Sequence, residues 1–214
     1  MRSGHAKILH PLINNLYFTH LDIIDACSPW IPRREVDDER EWLAAQLHEE
    51  AREVPMYRRL LAEVGFEPDR SIRIPDSRDR YAALKECADE IDFVVGMNIL
   101  AQGVLGWVEH RQLYRYDPVF FADFAGVIAR EAARLELALL FLKRRPADRV
   151  MPAVHACRTH LAEVTVPHLS AYLEPAIARG IFTADIADQG FSALDRIDAE
   201  LTDFFAAQNR QPRR

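Results

Sequence analysis

Glycine and cysteine are scarce in this chain, and the cysteines form no motif. The 214 residues include 8 glycines and 3 cysteines. So few glycines argue against a sheet protein, which needs many glycine-rich turns, and against a collagen-like, linker-rich or disordered chain. Cys27, Cys87 and Cys157 lie far apart and form no CxxC pair. They suggest no disulfide framework, so a reducing cytoplasm is the expected location.

The chain also lacks an excess of positive charge and a long apolar run. Its 27 Lys and Arg residues against 33 Asp and Glu residues give a net charge of -6 at pH 7, which disfavours nucleic-acid binding. No uninterrupted apolar run reaches about 18 residues, so we expect no membrane span. The first 30 residues mix His, Asn and Asp with apolar residues, which fits neither a signal peptide nor an anchor.

What the chain does have is apolar residues at the roughly 3.6-residue spacing of helices. Residues of the AVILMFWYC class make up 49% of it, enough for the core of a single domain over residues 1–214. No stretch shows the clean alternation of a strand. The predicted helices cover residues 10–27, 37–64, 79–113, 117–145, 148–179 and 183–205. The tail 206–214 is predicted to be frayed.

Short loops between long helices force neighbouring helices to run in opposite directions. The fold class is therefore all-α, an antiparallel bundle with its core at about residues 10–145 and covering helices at about 148–205. Gly96, Gly103 and Gly106 interrupt the apolar half of the third predicted helix. Because glycine weakens a helix, we expect these residues to let a neighbouring helix approach closely, or to leave room for a ligand.

Two segments of the chain resemble each other. Residues 49–53 read EEARE in the second predicted helix, and residues 131–135 read EAARL in the fourth. This is consistent with two copies of a helix pair related by a pseudo-two-fold axis. Glu50 and Glu53 are three positions apart and share one helix face. If that face is buried, the two carboxylates need a cation or a shared proton; if it is exposed, they form an ordinary charged stripe.

These segments resemble those of the ferritin-like di-iron carboxylate superfamily. Its pattern is a Glu on the first helix, Glu-x-x-His on the second, a Glu on the third and Glu-x-x-His on the fourth, around two iron ions. Residues 49–54 align with the phrase DEARH, residues 99–103 with LxxEG, and residues 128–136 with IARDEARHE. The resemblance covers about residues 10–145. It implies a ferritin-like antiparallel four-helix bundle with one or two additional C-terminal helices.

The ligand set departs from that pattern. Glu50 keeps the second-helix glutamate, but Glu53 stands where a His is expected. Ala132 and Leu135 have no donor atoms and stand where the fourth-helix Glu and His are expected, so the second metal site is predicted to be lost. The metal ligands that the resemblance implies are Glu50, Glu53, Asp22 and His20. The residues expected to line the pocket are Gln102, which replaces the third-helix Glu, Ala132 and Leu135.

The resemblance implies a non-haem iron oxidase or oxygenase that acts on a small organic substrate, with one or two iron ions as cofactor. Iron storage is disfavoured, because oxidising and mineralising iron needs the full set of carboxylates. The alternative is a metal-free ferritin-like bundle that binds an apolar ligand or a partner subunit. The long exposed helical faces are compatible with a homodimer.

Histidines on the fifth predicted helix raise a second class of metalloprotein. His160 and Glu163 are three positions apart, whereas hemerythrin-like bundles use pairs four positions apart. His155 and His168 lie five and eight positions from His160, so the match to hemerythrin-like bundles is poor. We interpret these histidines as surface or capping residues. His110 follows a glutamate, and adjacent helical residues differ by about 100°, so we expect no facing pair there.

Overall fold

The computed structural model describes residues 3–210 of the chain. Helices account for 83% of the structure, and the described residues include no strand. The prediction of an all-α protein is therefore confirmed. The finer arrangement, a ferritin-like four-helix bundle, stays a prediction.

The helices follow one another with short connections. In chain order they are α1 (Ser3–Cys27), α2 (Asp37–Glu63), α3 (Pro75–Glu86), α4 (Glu90–Val94), π1 (Val95–Gly106), α5 (Trp107–Tyr116), α6 (Phe124–Lys143), α7 (Ala147–His160), π2 (Leu161–Thr165), α8 (Val166–Ala178) and α9 (Ile186–Arg210). The segments π1 and π2 are π-helical, and their characteristic hydrogen bond joins an N–H to the carbonyl five residues earlier, as from Trp107 to Gln102 and from Val166 to Leu161. α4, π1 and α5 run on without a break, as do α7, π2 and α8.

Contacts between residues group the described chain into two compact units. The first unit contains residues 3–87 and 168–179, and the second contains residues 88–167 and 180–210. α1, α2 and α3 thus belong to the first unit, whereas the helices from α4 to π2, together with α9, belong to the second. The single domain over residues 1–214 stays a prediction.

α1 packs against α2 and α3 in the first unit. Its buried face carries Leu9, Ile13, Leu16 and Ile23, none more than 2% exposed. These residues are three, four or seven positions apart, so they form one stripe along the helix. The stripe lines the interior of the unit and sets the rotation of α1 about its axis.

α1 and α2 each contain an internal proline. α1 begins at Ser3, rather than near residue 10 as predicted, with Pro11 inside it. A proline deprives the carbonyl four residues earlier of its hydrogen bond. The affected carbonyls belong to Lys7 in α1 and, because of Pro55, to Ala51 in α2, and both are exposed residues. Water can therefore replace the missing partner, and both helices continue.

The prediction of one continuous helix over residues 79–113 is wrong, both in where the helix starts and in its being unbroken. α3 already begins at Pro75, and the chain breaks before a new helix starts. The break is explained by Asp89, whose side chain accepts hydrogen bonds from the N–H groups of Ile91 and Asp92. Such an N-cap starts a helix. The apolar spacing did not predict this break, because the residues on both sides of it are charged.

π1 brings its backbone close to α6 at two glycines. A Cβ atom at Gly103 would lie 3.1 Å from Leu135 Cδ1, and one at Gly106 would lie 2.7 Å from Glu131 Oε1. The predicted close approach of a neighbouring helix is therefore confirmed at these positions. Gly103 is also required within π1 itself, because its Cβ would stand 2.7 Å from the Asn98 carbonyl oxygen.

Among the described residues, one helix, Glu90–Tyr116, is long and apolar enough to cross a membrane. Inside the protein, 72% of its most apolar window is buried, and its π1 segment packs against α6. The polar residues Asn98 and Gln102 interrupt the apolar sequence. This burial is typical of the core helix of a soluble protein.

The ends of two later helices also differ from prediction. α6 begins at Phe124 rather than near residue 117, because the Asp117 side chain accepts hydrogen bonds from the two N–H groups of a turn that precedes the helix. α9 extends to Arg210, so the predicted fraying is wrong for residues 206–210. Residues 211–214 of that tail lie outside the described residues.

Candidate metal centre

α1 and α2 bring together three side chains, inside the first unit, whose types can bind a metal. On α2, the buried residues Gln46, Glu50, Glu53 and Tyr57 follow one another at spacings of four, three and four, so they share one face. Glu50 is 0% and Glu53 is 3% exposed, and His20 of α1 is 3% exposed. Both glutamates therefore point into the interior rather than to solvent.

The side chains of His20, Glu50 and Glu53, which we call the candidate metal centre, meet at close range. The His20 Nδ1 atom lies 2.5 Å from Glu50 Oε2 and 3.5 Å from Glu53 Oε2. One ligand atom from each residue lies within 4.8 Å of the others. The Tyr57 ring lies against the His20 ring, with centroids 4.5 Å apart, and restricts the imidazole. One nitrogen and two oxygen donors thus point toward a common region.

The chemistry of this group follows from two carboxylates in one buried volume. They repel each other, and a positive charge or a bound proton relieves the repulsion. The imidazole contacts one of them and contributes one positive charge when it is protonated. A divalent ion contributes two charges, and imidazole and carboxylate groups are common ligands of Fe²⁺, Mn²⁺ and Zn²⁺. The group can therefore hold a proton or a single metal ion.

Asp22 lies outside the candidate metal centre, which corrects its prediction as a ligand. Its carboxylate forms an ion pair with the Arg73 guanidinium. Two positions along a helix correspond to a rotation of about 200°, so Asp22 and His20 point to nearly opposite sides of α1. Burial lowers the pKa of Arg73, yet a guanidinium stays protonated at neutral pH. The guanidinium therefore keeps its positive charge beside the Asp22 carboxylate.

The predicted pocket residues belong to the second unit, where their burial differs. Gln102 is 4% exposed, and its side-chain oxygen accepts a hydrogen bond of 3.3 Å from Asn98. Leu135 is half-buried and lies beside Gly103. Ala132 is exposed. It lines no interior pocket, so this prediction is wrong.

A second buried pair of His and Glu lies within the second unit. The His110 Nδ1 atom is 2.9 Å from Glu131 Oε1, and the two residues are 1% and 3% exposed. The Phe124 ring stands edge-on to His110, with centroids 4.9 Å apart. Arg134, one turn after Glu131, is also buried. This pair supplies one carboxylate where the first unit supplies two, so it is the weaker candidate for a metal.

The sequence comparison missed this pair because aligning the two segments by residue type does not align the buried faces of their helices. Aligning EEARE with EAARL places Glu50 opposite Ala132. Burial instead makes Glu50 and Glu53 of α2 equivalent to Glu131 and Arg134 of α6, a shift of one position. A stripe that is apolar apart from these two residues identifies the correct face. It consists of Phe124, Val127, Glu131, Arg134, Ala138 and Leu142.

The histidines of α7 and α8 form no comparable group. His155 is exposed, and its Nε2 atom lies 3.2 Å from an Asp198 oxygen. His168 and Glu163 are exposed, and His160 is half-buried. In the part of the chain that the structure describes, the candidate metal centre is the one set of three or more His, Cys, Asp or Glu side chains close enough to share an ion.

No family model, curated protein or solved structure matches the chain. The resemblance to the ferritin-like superfamily therefore stays a prediction from the sequence motifs. What supports a function is the geometry of the candidate metal centre.

Proposed function

We propose that this chain is a metal-dependent protein that binds one divalent transition-metal ion at the candidate metal centre. The observation that carries the proposal is a set of three suitable ligand atoms within 4.8 Å of one another, on residues no more than 3% exposed. Ionisable side chains are rarely so deeply buried unless they are paired or bind a metal. Facing helices that each contribute Glu or His side chains are the usual frame of metal sites in helical bundles.

The distances suit one ion after a small adjustment. Metal–ligand bonds of about 2.0–2.2 Å place neighbouring ligand atoms about 3 Å apart. The 3.5 Å between His20 Nδ1 and Glu53 Oε2 is close to this value, whereas the 2.5 Å between His20 Nδ1 and Glu50 Oε2 is shorter than this spacing. An ion would replace that direct contact and separate the two groups by about half an ångström.

The donor set favours Fe²⁺ or Mn²⁺ over softer ions, because it has two carboxylates, one imidazole and no thiolate. Three protein ligands leave coordination positions open for a substrate. The finer proposal takes the ion to be iron and the protein to be a cytoplasmic oxidase or oxygenase acting on a small organic substrate. The ferritin-like motifs support it. Bound iron supplies redox chemistry, while the chain holds the ion and its buried surroundings exclude bulk water.

Metal content after anaerobic reconstitution with Fe²⁺ tests the proposal. We expect about one ion per chain in the wild type and loss of most of it in Glu50→Gln and in Glu53→Gln. Glu49→Gln, one position away on another helix face, is the matched control and should keep the wild-type content. A folded wild-type protein that retains no ion contradicts the proposal. A content of about two ions contradicts the single-ion assignment.

A metal-free protein is the second candidate, and the 2.5 Å contact between His20 and Glu50 favours it. This contact pairs the two side chains directly with each other. The helices would then serve as a scaffold for a small-molecule ligand or for a partner chain, including a second copy. Such a protein retains no stoichiometric metal in the reconstitution described above, so one measurement separates the two candidates.

A further inference from the structure

We propose that a groove in the second unit binds a small aromatic carboxylate, independently of the candidate metal centre. The groove has a volume of about 1020 Å³ and lies between α5, the beginning of α6 and the first half of α9. That volume is sufficient for a small molecule. Side chains from two walls matter for recognition: Trp107, Arg111, Tyr114 and Arg115 on α5, and Arg196 on α9.

Three guanidinium groups line the groove, those of Arg111, Arg115 and Arg196. Among the described residues, none of the three lies within ion-pair distance of a carboxylate, but the charge of Arg115 acts on Asp185 and helps to lower its pKa. Arg111 and Arg115 are one turn apart, so two like charges lie side by side on α5, and Asp185 offsets part of this repulsion. The whole chain carries a net charge of -6, so this local positive charge does not follow from its composition. The groove is therefore suited to an anion.

Two carboxylates limit the charge of the groove. Asp185 accepts a hydrogen bond of 3.2 Å from Gln189. Hydrogen bonds from the side chains of Thr183 and Gln189 lower the pKa of Asp185, so it stays ionised near neutral pH. Asp188 is the second carboxylate. Three guanidinium groups less two carboxylates leave one net positive charge, which a ligand with a single carboxylate neutralises.

Arg111 is already oriented to receive such a carboxylate. Its guanidinium carbon lies 4.3 Å from the centroid of the Trp107 ring, within the range of a cation–π contact. A guanidinium held on a ring can still use the N–H groups at its edge, and two parallel hydrogen bonds to a carboxylate are strong and directional. On the other wall, Arg196 donates from Nε to the Ser192 carbonyl at 3.3 Å, which restricts its position.

The rest of the groove favours a ring over a second polar group. Gln112, 3% exposed, donates hydrogen bonds to Thr183 Oγ1 at 2.8 Å and to Gln189 Oε1 at 3.0 Å. These polar groups satisfy one another, so the floor requires no polar atom from a ligand. Trp107 and Tyr114 offer aromatic surface against which a ring can pack. The ligand class that matches is a planar ring with one carboxylate.

Titration with benzoate and with uncharged benzamide, followed by NMR chemical shifts of the backbone amides, tests the proposal. We expect saturable binding of benzoate to the wild type that weakens with added salt. We expect benzamide, and benzoate with Arg111→Gln, to bind at least about tenfold more weakly. Arg158→Gln is the matched control because that arginine is half-exposed and does not line the groove. It should keep the wild-type affinity.

Equal affinities of wild type and Arg111→Gln for benzoate overturn the proposal, as do equal affinities for benzoate and benzamide. So does the absence of saturable binding to folded wild-type protein. Arg111 is exposed, so its substitution leaves the core intact, and circular dichroism verifies this. The Glu50→Gln variant separates this groove from the candidate metal centre. It should bind benzoate as the wild type does, even if no metal binds to any form of the protein.

Discussion

At the residue scale, His10 links local packing to pH. Its ring stacks on Phe66 with centroids 3.9 Å apart and planes 4° apart. Burial lowers the pKa of His10 from its usual 6.5, and the Asp69 carboxylate opposes this only in part. The folded protein therefore favours the neutral imidazole, and the unfolded chain binds the proton more readily.

We expect the free energy of unfolding to fall as the pH decreases because of His10. The stabilisation that comes with its lowered pKa is complete above the unfolded value of 6.5 and is lost as the pH falls through the lower folded value. The ring is only partly buried, so solvent screens the effect and we expect less than about 1 kcal/mol.

Urea unfolding at pH values on both sides of 6.5, in the wild type and in His10→Phe, measures this contribution. The variant keeps an aromatic ring against Phe66 but cannot titrate. We expect the difference in stability between the two pH values to be smaller in the variant. The same difference in both proteins would show that His10 is not the group responsible.

Site residues could be predicted from the sequence where their spacing alone determines which face of a helix they share. Glu50 and Glu53 are three positions apart, and an antiparallel neighbour brings His20 near them, so all three were accessible to this reasoning. Asp22 was close in sequence to His20, but the helix rotates its side chain toward Arg73. The partner of Glu131 could not be predicted, because only packing shows that His110 of α5 faces α6.

At the element scale, the interiors of the helices could be predicted and their ends could not. Apolar periodicity continues through a break when charged residues flank it, and the break at Asp89 depends on two side-chain hydrogen bonds to backbone N–H groups. The start of α6 was placed too early for the same reason, because Asp117 stabilises a turn before the helix. π1 carries no sequence signal except its glycines, since its hydrogen bonds differ from those of an α-helix only in their partner.

Gly103 lies against backbone within π1, so its substitution tests the geometry of that element. We expect Gly103→Ala to lower the free energy of unfolding by about 1–3 kcal/mol, because the new Cβ would overlap a packed region. That atom would stand 2.7 Å from the Asn98 carbonyl oxygen, which cannot move without disturbing π1. Urea unfolding of the variant and the wild type measures the change.

Gly190→Ala is the matched control for this substitution, because Gly190 also lies inside a helix. Its Cβ would meet side-chain atoms no closer than 3.6 Å, which is ordinary contact. Alanine favours a helix over glycine by about 1 kcal/mol, so we expect this variant to be as stable as the wild type or more stable. Equal losses in both variants would indicate that the geometry of π1 is not the cause.

At the scale of the whole molecule, each unit carries one proposed site. The candidate metal centre belongs to the first unit and the arginine-lined groove to the second. Their residues do not overlap, so each site can be changed by substitutions that leave the residues of the other unaltered. Measurements on the intact protein can therefore assign an effect to one site by its variants.

Metal binding is expected to stabilise the whole protein against heat. An ion that binds only the folded form adds about 2.7 kcal/mol when its concentration is 100 times the Kd. In a chain of 214 residues, 1 kcal/mol raises Tm by about 2–4 °C, so we expect a rise of about 5–10 °C with excess Mn²⁺ over chelator-treated protein.

Differential scanning fluorimetry with chelator or with Mn²⁺ measures this rise, and two variants assign it. Glu53→Gln removes one of the two carboxylates, so its Tm should not depend on the ion. Arg111→Gln lies in the groove and should show the full wild-type rise. If Glu53→Gln gained as much as the wild type, the stabilising ion would be bound elsewhere. If the wild type gained nothing, the buried His20, Glu50 and Glu53 would form a metal-free structural cluster.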